Sequence, residues 1–431
     1  MKKVLIYSLL LIAGLAGSQL LPSLVGDSYA SLADVIRVLT MIGLSYIMIH
    51  VGYEFDIDKS NLRQYGVDYL VAFTAASFPW IFVTLYFVFV LLPPDAWGQL
   101  QTWKETLLAG RFAAPTSAGV LFSMLAAAGL GATWMFRKAR VLAIFDDLDT
   151  VLLMIPLKML MVGLAWQLGV IVFVMAALLA VAFVLLHRVR IPVSWPWVLG
   201  YAVAIALVSE VIYKGSMFID DSVPIHIEVL LPAFVLGTII AYPKSPDGGQ
   251  ADPHHGALES AAEKRATLIV SASFMVLVGL SMPVVLGGTE QHLPGTAPSM
   301  SATMPATAAA SAAKAGASDQ IGTITASQPP MSAGAIALHV LVVTLISNLG
   351  KMFPALCYLR EAHWKERLAV AIGMFPRGEV GAGVLVVSIS YGIGGPIVTI
   401  AMLSLALNLL LTGVFILIVR KLLAGVPDIR K

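Results

Sequence analysis

Three carboxylates, Asp146, Asp147 and Asp149, stand in the stretch from Arg140 to Lys158, which is otherwise apolar and long enough to cross a bilayer. An ionisable side chain at the bilayer centre costs ~2.5–3.5 kcal/mol on insertion scales, so such groups mark ion or proton pathways. On a helix Asp146 and Asp149 share a face, while Asp147 points ~100° away. Neighbouring carboxylates in a low dielectric cannot all keep their charge without counter-ions. Lys351 is the counter-ion the sequence offers. One acid is then held by Lys351, and another is left to take a proton or a small cation. Carboxylates, carbonyls released by a helix break and the hydroxyls of Thr116 and Ser117 are hard oxygen ligands, suited to Na+-like ions rather than soft metals. A proton and a cation competing for one carboxylate already constitute an exchange mechanism. An intramembrane aspartyl protease is a poor fit, because its two carboxylates face one water from two helices and here the acids share one helix.

These acids need elements that hold them at depth. The chain is 58% hydrophobic and 12% charged, with a mean hydropathy of +0.88; soluble domains carry about 25% charged residues. Several apolar runs exceed the ~18 residues that read as a span. The reading is an all-α polytopic membrane protein with about twelve spans, not a β-barrel, whose segments are short and alternate. The spans fall near 3–21, 33–54, 66–92, 105–128, 138–162, 164–186, 195–213, 224–242, 266–286, 334–358, 367–390 and 397–419. The first also has the look of a signal peptide, with Lys2-Lys3 before the apolar run and small residues from Ala13 to Ser18. With the N-terminus on the cytoplasmic side, most Lys and Arg fall in cytoplasmic segments. Only Arg37, Lys104, Arg111, Lys214 and Lys314 fall on the opposite side, and Lys158, Lys351 and Arg377 fall inside spans. Both termini are therefore expected in the cytoplasm. A single cysteine, Cys357, excludes an internal disulfide and a cysteine-rich metal site. The His254-His255 pair in a polar loop is weak evidence for metal binding. Residues 287–332, rich in Ala, Ser, Thr, Pro and Gly, read as a low-complexity extracytoplasmic loop.

Depth counted from the basic flanks brings distant residues to one level. Asp146 lies nine residues after Arg137, and Lys351 nine before Arg360, so each is ~14 Å into the bilayer at 1.5 Å per residue. Arg377, ten residues after Arg367, is ~15 Å in, and Thr116, counted from Glu105 on the other side, is ~16 Å in. Two spans are interrupted at that level, by Pro115-Thr116-Ser117 and by Pro376-Arg377-Gly378-Glu379. Proline removes a helix hydrogen bond and releases a carbonyl. Broken helices at corresponding places in two halves point to a transporter site, and Arg377 and Glu379 can either neutralise the partial charges of the half-helix ends or pair with each other. Asp68 and Glu210 lie nearer the interfaces and read as solvated or helix-packing residues.

On these residues the chain resembles the monovalent cation:proton antiporter superfamily, and its second bacterial branch in particular. The resemblance rests on Asp146-Asp147, Lys351, Pro115-Thr116-Ser117, Phe375-Pro376-Arg377-Gly378-Glu379 and the Gly52-Tyr53-Glu54-Phe55 run. It implies an inverted repeat with two crossed discontinuous helices. It implies scaffold helices in 1–64 and 164–286, an ion-carrying core in 65–163 and 333–420, and a tail at 421–431. It further implies elevator-type exchange of Na+, or of Li+ or K+, for protons. Asp147 would be the carrier, Asp146 the partner of Lys351, and Asp149 a third acid outside the family pattern. The protein would be a homodimer in a bacterial inner membrane, with no cofactor, no nucleic acid and no catalytic residue. The other readings are a sodium-coupled symporter of an organic anion on a similar fold and a non-transporting membrane sensor.

Overall fold

Long apolar runs leave backbone amides no partner in lipid except each other, so each run folds as a helix. The computed structural model describes residues 2–55, 62–162, 166–219, 229–241, 260–282, 324, 327–329, 331–424 and 426. The His254-His255 pair, most of the 287–332 loop and most of the 421–431 tail lie outside the described residues. The helices are α1 (Lys2–Val25), α2 (Tyr29–Tyr53), α3 (Leu62–Tyr86), α4 (Leu100–Gly110), α5 (Ala118–Ala127), α6 (Trp134–Val162) and α7 (Trp166–Leu185). They continue as α8 (Trp195–Ile219), α9 (Leu230–Ile239), α10 (Ala261–Leu280), α11 (Ala333–Gly350), α12 (Trp364–Gly373), α13 (Glu379–Ser390) and α14 (Gly395–Leu423). Among the described residues, seven helices are long and apolar enough to cross a membrane: α1, α2, α3, α7, α8, α11 and α14. α6 is long enough but carries the three acids and Lys158. The pairs α4/α5 and α12/α13 are the two interrupted spans, each made of half-helices of ten to twelve residues.

The chain forms two compact units. The first comprises residues 1–30, 63–163 and 278–431, and the second comprises 31–62 and 164–277. Helix α1 belongs to the first unit, together with every candidate site residue. Within that unit α11 meets the backbone of α3 at Gly350, where an added Cβ would lie 2.5 Å from Pro79 N. That contact sets the position of the next residue, Lys351. A polar cluster ties helix ends of the same unit together. Lys138 donates to both oxygens of Asp68 at 2.8 and 2.9 Å, and the Tyr358 hydroxyl donates to Asp68 Oδ1 at 2.7 Å. Asp68 is 2% exposed, so of its two expected roles it takes the packing one.

In the second unit α2 and α9 meet at Gly52 and Gly237, and a Cβ on either would strike the facing backbone. The segment after α7 pairs with the end of α9 through Val189 N to Ile239 O (2.9 Å) and Ala241 N to Val189 O (2.8 Å). The His187 ring nitrogens lie 3.0 Å from Ile240 O and 3.2 Å from Phe55 O. Glu210 accepts from Arg37 at 2.8 Å and faces Lys214 at 3.2 Å.

Candidate ion-binding site

The two breaks are stitched to each other through backbone groups that proline and extended geometry release from the helices. Ser117 N donates to Pro376 O at 2.9 Å, and the Thr116 hydroxyl donates to Met374 O at 3.1 Å. Arg377 completes the seam. Its Nε donates to Ala113 O (2.9 Å), and its two terminal nitrogens donate to Asn348 Oδ1 (2.8 Å) and Ser347 O (3.0 Å). One guanidinium therefore holds the α4/α5 break and the last turn of α11 at once. Its fork of donors is what makes such a three-way contact possible. Pro115 and Pro376 are the residues on which each break turns, and Ser117 caps α5 by accepting from Val120 N at 3.4 Å. Glu379 opens α13; its side chain lies outside the described residues.

Against this seam α6 sets Asp146, 0% exposed. Lys351, also 0% exposed, donates to Asp146 Oδ2 at 2.9 Å and Oδ1 at 3.1 Å, and to the Thr116 hydroxyl at 2.8 Å. Thr116 N donates to Asp146 Oδ2 at 2.7 Å. A buried ion pair survives desolvation only when its remaining lone pairs are satisfied, and both Asp146 oxygens are. The Thr116 hydroxyl donates once and accepts once from Lys351, which leaves it one lone pair for any further ligand. Asp147, 6% exposed, follows on α6, and its charge also acts on Lys351. Asp149, 1% exposed, lies beside the Tyr69 hydroxyl and within electrostatic reach of Asp146, Arg111 and Lys351.

The structure therefore brings Asp146, Lys351, Thr116, Ser117, Arg377, Pro115 and Pro376 into one contiguous network, with Asp147 and Asp149 on the same helix. Arg111 is a correction. The charge count assigns it to the opposite side, although the fourth span as drawn, 105–128, contains it, and the structure buries it. It is 0% exposed, at the end of α4, and donates to the backbone oxygen of Asp149 at 3.0 Å. The depth count already held the signal, since Arg111 is six residues past Glu105, ~9 Å in by helical rise. Asn348 is a second omission. It sits three residues before Lys351 on α11, a helical spacing that gives both side chains one face.

The architecture is the all-α fold of the sodium/proton antiporters, with ion-pairing residues where two broken helices meet. Among solved structures the chain is similar to the sodium proton antiporter MjNhaP1 from Methanocaldococcus jannaschii at pH 8. The TM-score is 0.52 at 15% sequence identity, over 95% of this chain and 91% of that one. At that identity the likeness is one of fold. No family model matches the chain, and no curated protein does.

Proposed function

We propose that this protein is a secondary transporter that exchanges a monovalent cation, Na+ in the first place and Li+ or K+ as alternatives, for protons. One observation carries the reading: a fully buried Lys351–Asp146 pair at the junction of two broken helices, with a second carboxylate, Asp147, next in the chain. A structural ion pair would need no adjacent acid, since Lys351 and Thr116 N already satisfy Asp146. In this reading Asp147 takes either the cation or the proton, with help from the oxygen atoms of Thr116 and Ser117. Lys351 keeps Asp146 charged and in place, so that the two acids do not compete for the same proton. Arg377 holds the two breaks in register. Alternating access is an elevator-type displacement of the unit that holds the site, and the two halves of that unit are an inverted repeat. The protein works as a homodimer in a bacterial inner membrane with both termini in the cytoplasm, and its chemistry is transport rather than catalysis. The sodium proton antiporter with the similar fold supports this reading. The test is proteoliposomes with an imposed pH gradient. Addition of Na+, Li+ or K+ collapses the gradient if the reading holds, and failure of all three rejects it.

A further inference from the structure

Arg111 is a full positive charge with little to hold it. Guanidinium does not deprotonate in proteins, and burying it unpaired is expensive. Its side chain is 0% exposed, yet it makes one hydrogen bond, to the backbone oxygen of Asp149. Nε and the other terminal nitrogen have no hydrogen-bond partner among the described residues. The guanidinium lies 4.7 Å from the Trp80 ring centroid, and Trp80 is fixed by its own bond to Leu107 O at 2.7 Å. The acids near enough to act on its charge are Asp146 and Asp149. Arg377 and Lys351, the other two cations at 0% exposure among the described residues of the unit, differ in this respect. Arg377 is spent on three acceptors, and Lys351 on Asp146 and Thr116. Arg111 is thus the cation of the site whose field is least quenched by contacts.

The acids that act on it, Asp146 and Asp149, both stand on α6, and Asp149 lies beside the Tyr69 hydroxyl of α3 and within electrostatic reach of Lys351. A fixed positive charge this close to a cation site weakens cation binding. We propose that Arg111 is an affinity-setting residue, whose only partly offset positive charge lowers the affinity of the neighbouring carboxylates for the transported cation. This keeps the ion exchangeable rather than trapped among three acids. The inference rests on the transport reading given above.

The test is the apparent KM for Na+ in proton-coupled exchange, measured in proteoliposomes for wild type, Arg111→Lys, Arg111→Gln and Arg111→Met. Loss of a neighbouring unit charge at an effective dielectric near 20 is expected to change the affinity by roughly tenfold. Arg111→Gln and Arg111→Met are expected to lower the apparent KM by about that factor, and Arg111→Lys to keep it. A role in packing alone has no route to tighter binding, so an unchanged or raised KM in the neutral variants overturns the proposal. If neither neutral variant folds, Asp149→Asn is compared with Asp149→Asn/Arg111→Met. The first is expected to weaken binding by unmasking Arg111 and the second to restore it; equal KM values in the two overturn the proposal. Wild type that exchanges no cation for protons would instead reject the transport reading itself.

Discussion

Replacing Lys351 by alanine leaves Asp146 buried with its oxygens stripped of the two contacts that Lys351 makes to them. Both residues are 0% exposed, and the pair is closed at 2.9 and 3.1 Å. Removing one partner of a buried pair costs ~3–5 kcal/mol, most of it the penalty of the charge left behind. Asp146→Asn should lose a similar amount, because Lys351 would then keep only Thr116. The double variant Asp146→Asn/Lys351→Ala leaves neither charge buried. It should therefore be less destabilised than the two single variants added together, with a coupling energy of ~2–3 kcal/mol, the upper part of the range for residues in contact. The assay is unfolding of the purified protein in mixed micelles, followed by tryptophan fluorescence for wild type, both single variants and the double. A coupling energy near zero would mean that the two side chains do not depend on each other, and the description of the site as built around that pair would fall.

Three further outcomes follow from particular contacts. Arg377→Lys keeps the charge but loses the fork, and a single ammonium nitrogen cannot stand where the three guanidinium nitrogens do, so not all of Ala113 O, Asn348 Oδ1 and Ser347 O stay bonded. Each lost charge-assisted bond is worth ~1.5–3 kcal/mol, and cation-driven proton flux should fall at least tenfold; wild-type flux would remove Arg377 from the seam. Gly350→Ala puts a Cβ 2.5 Å from Pro79 N and should destabilise the protein by ~1–3 kcal/mol. Gly334→Ala, on the same helix with nothing within 4 Å, should be neutral or stabilising by up to ~1 kcal/mol; equal effects at the two positions would contradict the close α3–α11 contact. Tyr358→Phe deletes the 2.7 Å bond to Asp68 and should lower stability by ~1.5–3 kcal/mol while exchange persists; loss of exchange at unchanged stability would place Tyr358 in the transport step.

Much of the site could be read from residue spacing because the bilayer supplies an external ruler. Asp146 and Lys351 are 205 positions apart in sequence, yet counting from their basic flanks brought them to one level, and they are in contact. The breaks were legible for a similar reason, since proline in an apolar run has a known effect on the ladder of hydrogen bonds. What counting could not give was azimuth. Depth alone does not say that Arg377 turns toward Ala113 and Asn348, or that Thr116 is spent partly on Lys351. Arg111 shows a different failure. The rule that places Arg and Lys at membrane flanks is statistical, and it absorbed a residue whose own depth count put it inside. The packing of α1 with the site-bearing unit was likewise invisible, because an apolar helix carries no signal of which neighbours it will choose.

The central claim is that Asp147 carries the exchanged ion while Asp146 and Lys351 hold the site together. It is tested most directly by cation-dependent proton flux in proteoliposomes for wild type and Asp147→Asn, with Na+, Li+ and K+ each in turn. Exchange is expected in wild type with at least one of these cations, and its loss in a folded Asp147→Asn protein. Undiminished exchange in Asp147→Asn would contradict it.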